Sequence, residues 1–455
     1  MALKVLQWSL SKPFDEGLKV EARGFARLIP TQEHKNLLHI FHLSQRPKKQ
    51  FVKLPESNQA HYLKIGIIGA GVMGGGIVHL FADKNYPVRM KDIQSPMIIN
   101  GLKTADTLFD YSVKRHRITR LEKQRKLESI SSTLGYEGFN RLDVVIEAVA
   151  EKMTVKKQVL TEIEEIVPEH TLFASNTSAL SISELQSSAR FPNRVCGMHF
   201  FNPVHRMPLV EVIKGGKTDE HTVSVIFNLS KSLGKIPIIV QDSPGFLVNR
   251  LLGVYINEAC LLALEGCDVQ WLDAIVEKFG MPMGPFRLID EVGIDIAVEV
   301  GAILGKAFED RLAPSPLLKQ VKSLGFQGKK TGKGFYRYSN GKRKGFNRDI
   351  LQLLPTVHKN RYEDALERMM FLMINEAASC LRHGVVSSPE DVDAAMVFGA
   401  GFPPFRGGLC RWADTRGLGA IADTLKRHET ALGQRFAPDS FFQENTGFYN
   451  ANSSF

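Results

Sequence analysis

The sequence is short of the features that mark export or membrane residence. No apolar run reaches the length of a membrane span, so no integral membrane segment is expected. Residues 1–20 carry Lys4, Lys12, Asp15, Glu16 and Lys19 with no apolar core and no cleavage site, so no secretory signal is expected there. Cysteine is scarce. There are five in 455 residues, scattered and without a CxxC pair, which fits reduced thiols in a cytosol rather than a disulfide framework. No metal site is expected. The basic stretch has no interleaved aromatics on which bases could stack, which argues against nucleic acid as a partner.

The chain is otherwise ordinary globular material: 44% hydrophobic and 23% charged residues, at a length too great for one core. Net charge is +10, from 58 basic and 48 acidic residues. The excess is concentrated in Lys114-Arg-His-Arg-Ile-Thr-Arg120 with Lys123, Arg125 and Lys126. This block reads either as a solvated helix face or as a landing site for an anionic, phosphate-bearing substrate.

Residues 1–45 read as two or three short helices, and 46–61 as a polar linker. From residue 62, apolar strands alternate with helical patterns: strands at Lys64–Gly69, Pro87–Asp92, Val144–Val149 and Leu172–Ser175, and a helix at Val72–Lys84. That alternation means a parallel sheet covered on both faces. Arg194–Phe200 and Pro208–Lys214 break the rhythm as an antiparallel hairpin around Asn202-Pro203. Asp242-Ser243-Pro244 reads as a capped helix start, and the chain beyond it as mainly helical. There Ile256-Asn-Glu-Ala259 recurs as Ile374-Asn-Glu-Ala377. Phe279-Gly-Met-Pro-Met-Gly-Pro-Phe286 is echoed by Phe398-Gly-Ala-Gly-Phe-Pro-Pro-Phe405. A duplicated helical unit is therefore expected. The expected fold class is an α/β Rossmann-like NAD-binding domain, 62–243, followed by a duplicated all-α C-terminal domain, 244–350 and 351–455.

Gly69-Ala-Gly71-Val-Met-Gly74 follows a strand, opens a helix, and is followed at roughly the 20-residue spacing of such sites by Asp92. Gly69 allows a tight turn, Gly71 lets a pyrophosphate approach the backbone, and Gly74 lets helix and strand pack closely. The helix N-terminus offers amides to the phosphates. Asp92 would accept from the adenosine ribose and repel a 2′-phosphate, favouring NAD over NADP, although Arg89 and Lys91 flank it. His199 and Glu211 fall opposite each other across the hairpin. A carboxylate on one imidazole nitrogen fixes the tautomer and leaves the other nitrogen as a base, a device that contributes about 10²–10⁴-fold. Ser178, just beyond a buried strand, reads either as part of this site or as a helix cap. Asn249, on the first helix after the change of character, reads either as part of the site or as an interdomain hydrogen bond.

These residues resemble the L-3-hydroxyacyl-CoA dehydrogenases of fatty-acid β-oxidation. The matching segments are GIIGAGVMGGGI, VVIEAVAE, ASNTSALSI, GMHFFNPVHRMPLVEV, DSPGFLVNR and GKKTGKGFYRY, in family order across residues 64 to 338. The duplicated helical half extends the likeness through Gly401-Phe-Pro-Pro-Phe-Arg-Gly-Gly408 and points to the multifunctional α-subunit type. The resemblance implies His199 as general base with Glu211 as its partner, and Ser178 and Asn249 as contacts to substrate and cofactor. It places Met73, Asp92, Val149, Glu151, Lys156 and Asn202 at NAD-contact positions. It implies a cytoplasmic enzyme of bacterial type that oxidises L-3-hydroxyacyl-CoA to 3-ketoacyl-CoA with NAD. Glu16–Leu28 resembles the last helices of an enoyl-CoA hydratase domain. Residues 1–45 are then a remnant without hydratase activity, and a thiolase subunit or a separate hydratase chain is an implied partner. The remnant is expected to fold back on the dehydrogenase so as to cover Leu18, Phe25, Leu28, Leu37, Leu38 and Phe41. Two rival readings stand beside this one. They are a related dehydrogenase of another hydroxy acid, such as a sugar acid, and a non-catalytic scaffold subunit that binds acyl-CoA or NAD.

Overall fold

A computed structural model describes residues 1–49, 63–309, 311–356 and 363–449. Three helices come first: α1 (Ala2–Leu10), α2 (Phe14–Leu28) and α3 (Gln32–Lys49). The third runs through Pro47, past the expected start of the linker, most of which lies outside the described residues together with Tyr62.

An eight-stranded sheet then forms from β1 (Ile65–Ile68), β2 (Val88–Lys91), β3 (Ile130–Thr133), β4 (Val144–Glu147), β5 (Leu172–Ser175), β6 (Val195–Phe200), β7 (Leu209–Lys214) and β8 (Ile236–Gln241). The intervening helices are α4 (Val72–Asp83), α5 (Ser95–Lys114), α6 (Arg120–Glu128), α7 (Met153–Glu164), α8 (Ile182–Gln186) and α9 (Glu220–Ser232). The strand order is 3-2-1-4-5-6-7-8, and every pair is parallel except β6 with β7. The first six positions follow the Rossmann order, which puts its ligand crevice beyond the carboxyl ends of β1 and β4. The central strands are buried on both faces, which is why they read as continuous apolar runs. The hairpin expected around Asn202-Pro203 is present, and it carries the same sheet onward to the edge strand β8.

The remaining chain is mainly helical: α10 (Val248–Leu264), α11 (Val269–Phe279), α12 (Pro285–Val292), α13 (Ile294–Ala307) and α14 (Leu317–Ser323), with a hairpin of β9 (Tyr336–Ser339) and β10 (Lys342–Phe346). A second helical group comprises α15 (Ala365–Arg382), α16 (Pro389–Gly399), α17 (Leu409–Arg416), α18 (Leu418–Leu432) and α19 (Phe441–Glu444). The two groups repeat one hydrogen-bond skeleton. Asp273 accepts from the Phe286 and Arg287 amides and the Tyr336 hydroxyl. Asp393 accepts from the Cys410 and Arg411 amides and the Tyr449 hydroxyl. Asn257 brackets Ala313 and Ser315 as Asn375 brackets Ala437 and Asp439. Where α10 packs on α15, Arg250 bonds Glu376 while Arg368 bonds Glu258. This exchange of equivalent contacts is the mark of a two-fold interface, here within one chain.

Two expectations need correction. The helix expected to start at Asp242-Ser243-Pro244 starts at Val248. Asp242 instead accepts from the Ser181 hydroxyl and the Ile182 and Ser183 amides, so it caps the distant helix α8. The N-terminal segment folds back only through α3. That helix buries Asn36, His39, Ile40 and Leu43 against the second helical group, with Asn36 donating to the Phe405 carbonyl at 2.9 Å and Arg46 paired with Asp391. Leu18, Phe25, Leu28, Leu37, Leu38 and Phe41 all remain exposed. The docking stripe mixes polar with apolar side chains because the surface it meets presents a carbonyl, an arginine and the Asp393–Tyr449 pair.

Candidate functional site

The carboxyl ends of β1, β2, β4, β5 and β6 lie along one edge of the sheet, where this strand order places a ligand crevice, and each brings residues named from the sequence. At β1, Gly69 has φ +101°, and a Cβ there would lie 2.4 Å from the Ala148 carbonyl oxygen. A Cβ on Gly74 would lie 1.9 Å from the Gly69 carbonyl oxygen, so helix and loop pack without side chains. Gly71 differs. It is the N-cap of α4 with no side-chain cap, and a Cβ there would meet only the Met97 methyl, at 3.9 Å. Open space therefore faces uncapped helix amides, a setting that suits a pyrophosphate. Met73 is partly exposed on the first turn of α4.

Asp92 follows β2 directly. Its carboxylate accepts from the Ala70 amide at 2.8 Å and the Gln94 amide at 3.1 Å, which ties it to the glycine loop. The flanking cations are turned elsewhere. Arg89 donates to the Glu137 carbonyl, and the Lys91 ammonium lies 4.3 Å from the Tyr136 ring centre. Neither engages Asp92, so the carboxylate sets the local charge. These features fit a dinucleotide with a free ribose diol.

His199 and Glu211 are registered partners on β6 and β7. His199 Nδ1 lies 2.7 Å from Glu211 Oε2, both groups being buried. The other carboxylate oxygen, Oε1, accepts from the Leu247 and Val248 amides at 3.2 and 3.0 Å. Glu211 thus fills the capping role that Asp242 was expected to play, and it ties the imidazole to the N-terminus of α10. Burying a carboxylate in a strand is costly unless its oxygens are satisfied, and here each oxygen has a partner. Phe201 and Phe246 wall the imidazole, with ring centres 4.4 and 6.1 Å away.

Ser178 and Asn249 are brought together. Asn249 Nδ2 donates to the Ser178 carbonyl at 2.7 Å, so the sheet and the helical region are joined beside His199. Ser178 caps no helix; Ser181 caps α8. Its amide and hydroxyl both go to Glu151 Oε1, at 2.7 and 3.0 Å. Burial pushes the Glu151 carboxyl up, but the Lys156 ammonium, the Thr177 hydroxyl and the Ser178 amide more than offset this and hold it below the ordinary range. Lys156 is buried between Glu147 and Glu151, and Val149 donates its amide to Glu147. Asn202 is exposed in the hairpin loop, before a cis peptide bond to Pro203.

Sequence reasoning missed Glu147, Thr177 and Asn176. Thr177 donates to Glu151, and Asn176 accepts from the Phe200 amide beside His199. Their signal was present in VVIEAVAE and ASNTSALSI, as polar residues at strand ends in the crevice. The basic block does not converge here as a set. Lys123 is paired with Asp106 and Asp110, and Lys126 with Asp83. Among the described residues no cluster of histidine, cysteine or carboxylate side chains could hold a metal ion. No helix among them is long and apolar enough to cross a membrane.

The chain is similar to known proteins over nearly its whole length. The family described as 3-hydroxyacyl-CoA dehydrogenase, NAD binding domain, matches residues 64–243. The corresponding C-terminal domain family matches 245–338 and again 365–446. A fatty acid oxidation complex subunit alpha from Vibrio cholerae is 38% identical over 439 residues, 96% of this chain and 62% of that protein. Its counterpart in Psychrobacter arcticus is 40% identical over 92% of this chain and 60% of its own length. The chain thus spans about three fifths of these relatives. The crystal structure of a 3-hydroxybutyryl-CoA dehydrogenase from Escherichia coli aligns with TM-score 0.74 and 25% identity, covering 85% of this chain and 98% of that one. An (S)-3-hydroxybutyryl-CoA dehydrogenase from Ralstonia eutropha aligns with TM-score 0.59 and 37% identity, covering 62% of this chain and all of that one.

Proposed function

Because the chain belongs to the 3-hydroxyacyl-CoA dehydrogenase family, we propose that it oxidises the 3-hydroxyl of an L-3-hydroxyacyl-CoA to a 3-ketone. The observation that carries the reading is the buried His199–Glu211 pair at the mouth of the crevice, 2.7 Å apart. With Glu211 accepting from Nδ1–H, the Nε2 lone pair is free to take the hydroxyl proton. The imidazolium formed is stabilised by the same carboxylate, whose second oxygen is held by two helix amides. The acceptor for the C3 hydride would be supplied by NAD⁺. Gly69, Gly71, Met73 and Gly74 would seat its pyrophosphate, and Asp92 its ribose. Val149, Glu151, Lys156 and Asn202 would line the rest of its path. Ser178 and Asn249 would orient the reacting oxygen.

The finer reading is that this sequence corresponds to the dehydrogenase portion of a multifunctional β-oxidation α-subunit in a bacterial cytoplasm. Supporting it, identity runs over nearly all of this chain but only three fifths of the relative. The exposed apolar side chains of α1 and α2, among them Leu3, Leu10 and Phe14, support a partner such as a separate hydratase chain or a thiolase subunit.

The test is loss of NADH absorbance with acetoacetyl-CoA, beside free acetoacetate and beside NADPH. Consumption only with the CoA ester and NADH is expected. Equal rates with a free hydroxy or keto acid would favour the related hydroxy-acid dehydrogenase. NADH binding without turnover would favour the scaffold.

A further inference from the structure

We propose that Glu147 is a positioning residue for this oxidation, holding Lys156 back from Glu151 so that Glu151 can fix Ser178; the inference rests on the function proposed above. Glu147 ends β4, and its registered neighbour on β1 is Ile68. The position is fully buried, in a strand whose other side chains are apolar. A carboxylate there is costly to bury unless every lone pair is used. Here they are used. One oxygen accepts from the Val149 amide at 2.7 Å and from Lys156 Nζ at 2.8 Å. The other accepts from Lys156 Nζ at 3.1 Å and from the Ser175 hydroxyl at 2.6 Å.

The consequence lies one step further on. Lys156 is itself buried and stands between two carboxylates. It makes two contacts with Glu147 and a longer one, 3.2 Å, with Glu151 Oε2. Glu151 Oε1 is thereby left to Thr177 Oγ1, the Ser178 amide and the Ser178 hydroxyl. Together with the Asn249 contact to its carbonyl, every polar group of Ser178 is directed. Without the charge on Glu147, the ammonium has one carboxylate to pair with rather than two. It then moves onto Glu151 and draws it from Ser178. The Glu147 carbonyl also accepts from the Asn176 amide at 2.8 Å, a main-chain contact that a change of its side chain leaves in place. Glu147 touches neither substrate nor reacting atoms, and its effect must pass through Ser178.

The experiment is a double-mutant cycle on the full chain with Glu147→Gln and Ser178→Ala, reading kcat, NADH affinity by fluorescence titration and melting temperature. Glu147→Gln is expected to lower kcat about tenfold to a hundredfold, the scale of a small misplacement at a reacting centre. Because Lys156 and Glu151 also line the proposed NAD path, kcat is read at saturating NADH, and a loss confined to NADH affinity would overturn the proposal. In the Ser178→Ala background the same change should leave kcat nearly unaltered. An equal loss in both backgrounds, or an unchanged kcat in Glu147→Gln, would overturn the proposal. A Ser178→Ala enzyme with normal turnover would instead overturn the function reading of the site, and this inference with it. Should Glu147→Gln not fold, Glu147→Asp keeps the charge but draws it back from Lys156. It should lower kcat about threefold, and again only when Ser178 is present.

Discussion

The two helical groups share a skeleton but not a task. When Ile256 is aligned with Ile374, Arg250 falls on Arg368 and Glu258 on Glu376. The reciprocal ion pairs across α10 and α15 follow from that alignment. Each glutamate has a second arginine, Arg311 for Glu376 and Arg435 for Glu258. One residue earlier the correspondence breaks. Asn249 reaches the Ser178 carbonyl, whereas its counterpart Glu367 forms an exposed pair with Arg416. The buried aspartates differ as well. The Asp273–Tyr336 pair borders a surface depression with Arg343 and Lys344, and burial lifts the Asp273 carboxyl to about 6. The Asp393–Tyr449 pair is covered by His39 of α3. A duplicated fold can thus keep the contacts that hold its halves together while one copy serves the crevice and the other serves as its packing partner.

The largest effect tests the shared skeleton. Arg368→Met and Arg250→Met should each destabilise the chain by about 3 kcal/mol, because each leaves a buried glutamate short of a partner. Matched losses in chemical denaturation would support equivalence of the two pairs. A large loss from one and almost none from the other would break it.

A smaller effect tests the difference. Removing residues 1–28 should leave the melting temperature within a degree or so, since α1 and α2 bury almost nothing apolar on the rest of the chain. Removing 1–49 should cost about 2 kcal/mol or more, from Ile40 and Leu43 alone. Proteolysis should then cut the second helical group before the first. Equal stability of both truncated forms would mean that α3 is not part of the second group's core.

How much of this was legible depended on how local the signal was. The glycine loop and Asp92 could be read because each glycine answers a constraint set within a few residues. His199 and Glu211 could be paired because a hairpin converts sequence symmetry into register. Asp242 was misread because a cap signature says nothing about which helix it serves. The winning acceptor for α10 was Glu211, remote in sequence and already committed to His199. The edge strand β8 was not among the expected strands; it carries Pro237, which an edge position tolerates. The docking face of α3 was misread because hydrophobicity was taken as the guide, while the partner surface asked for His39 and Asn36. Glu147 was passed over as part of an apolar run, and only the fold shows Lys156 and Ser175 meeting it.

The contrast between the groups is tested most directly by turnover of acetoacetyl-CoA with NADH in Asn249→Ala and Glu367→Ala, each checked for an unchanged melting temperature. Asn249→Ala is expected to lose about a hundredfold in kcat/KM, through a misplaced Ser178 and a lost substrate contact. Glu367→Ala should stay within about twofold of the parent, as for other exposed ion pairs. Near-normal turnover in Asn249→Ala, or comparable losses in both, would contradict the division of labour between the two copies.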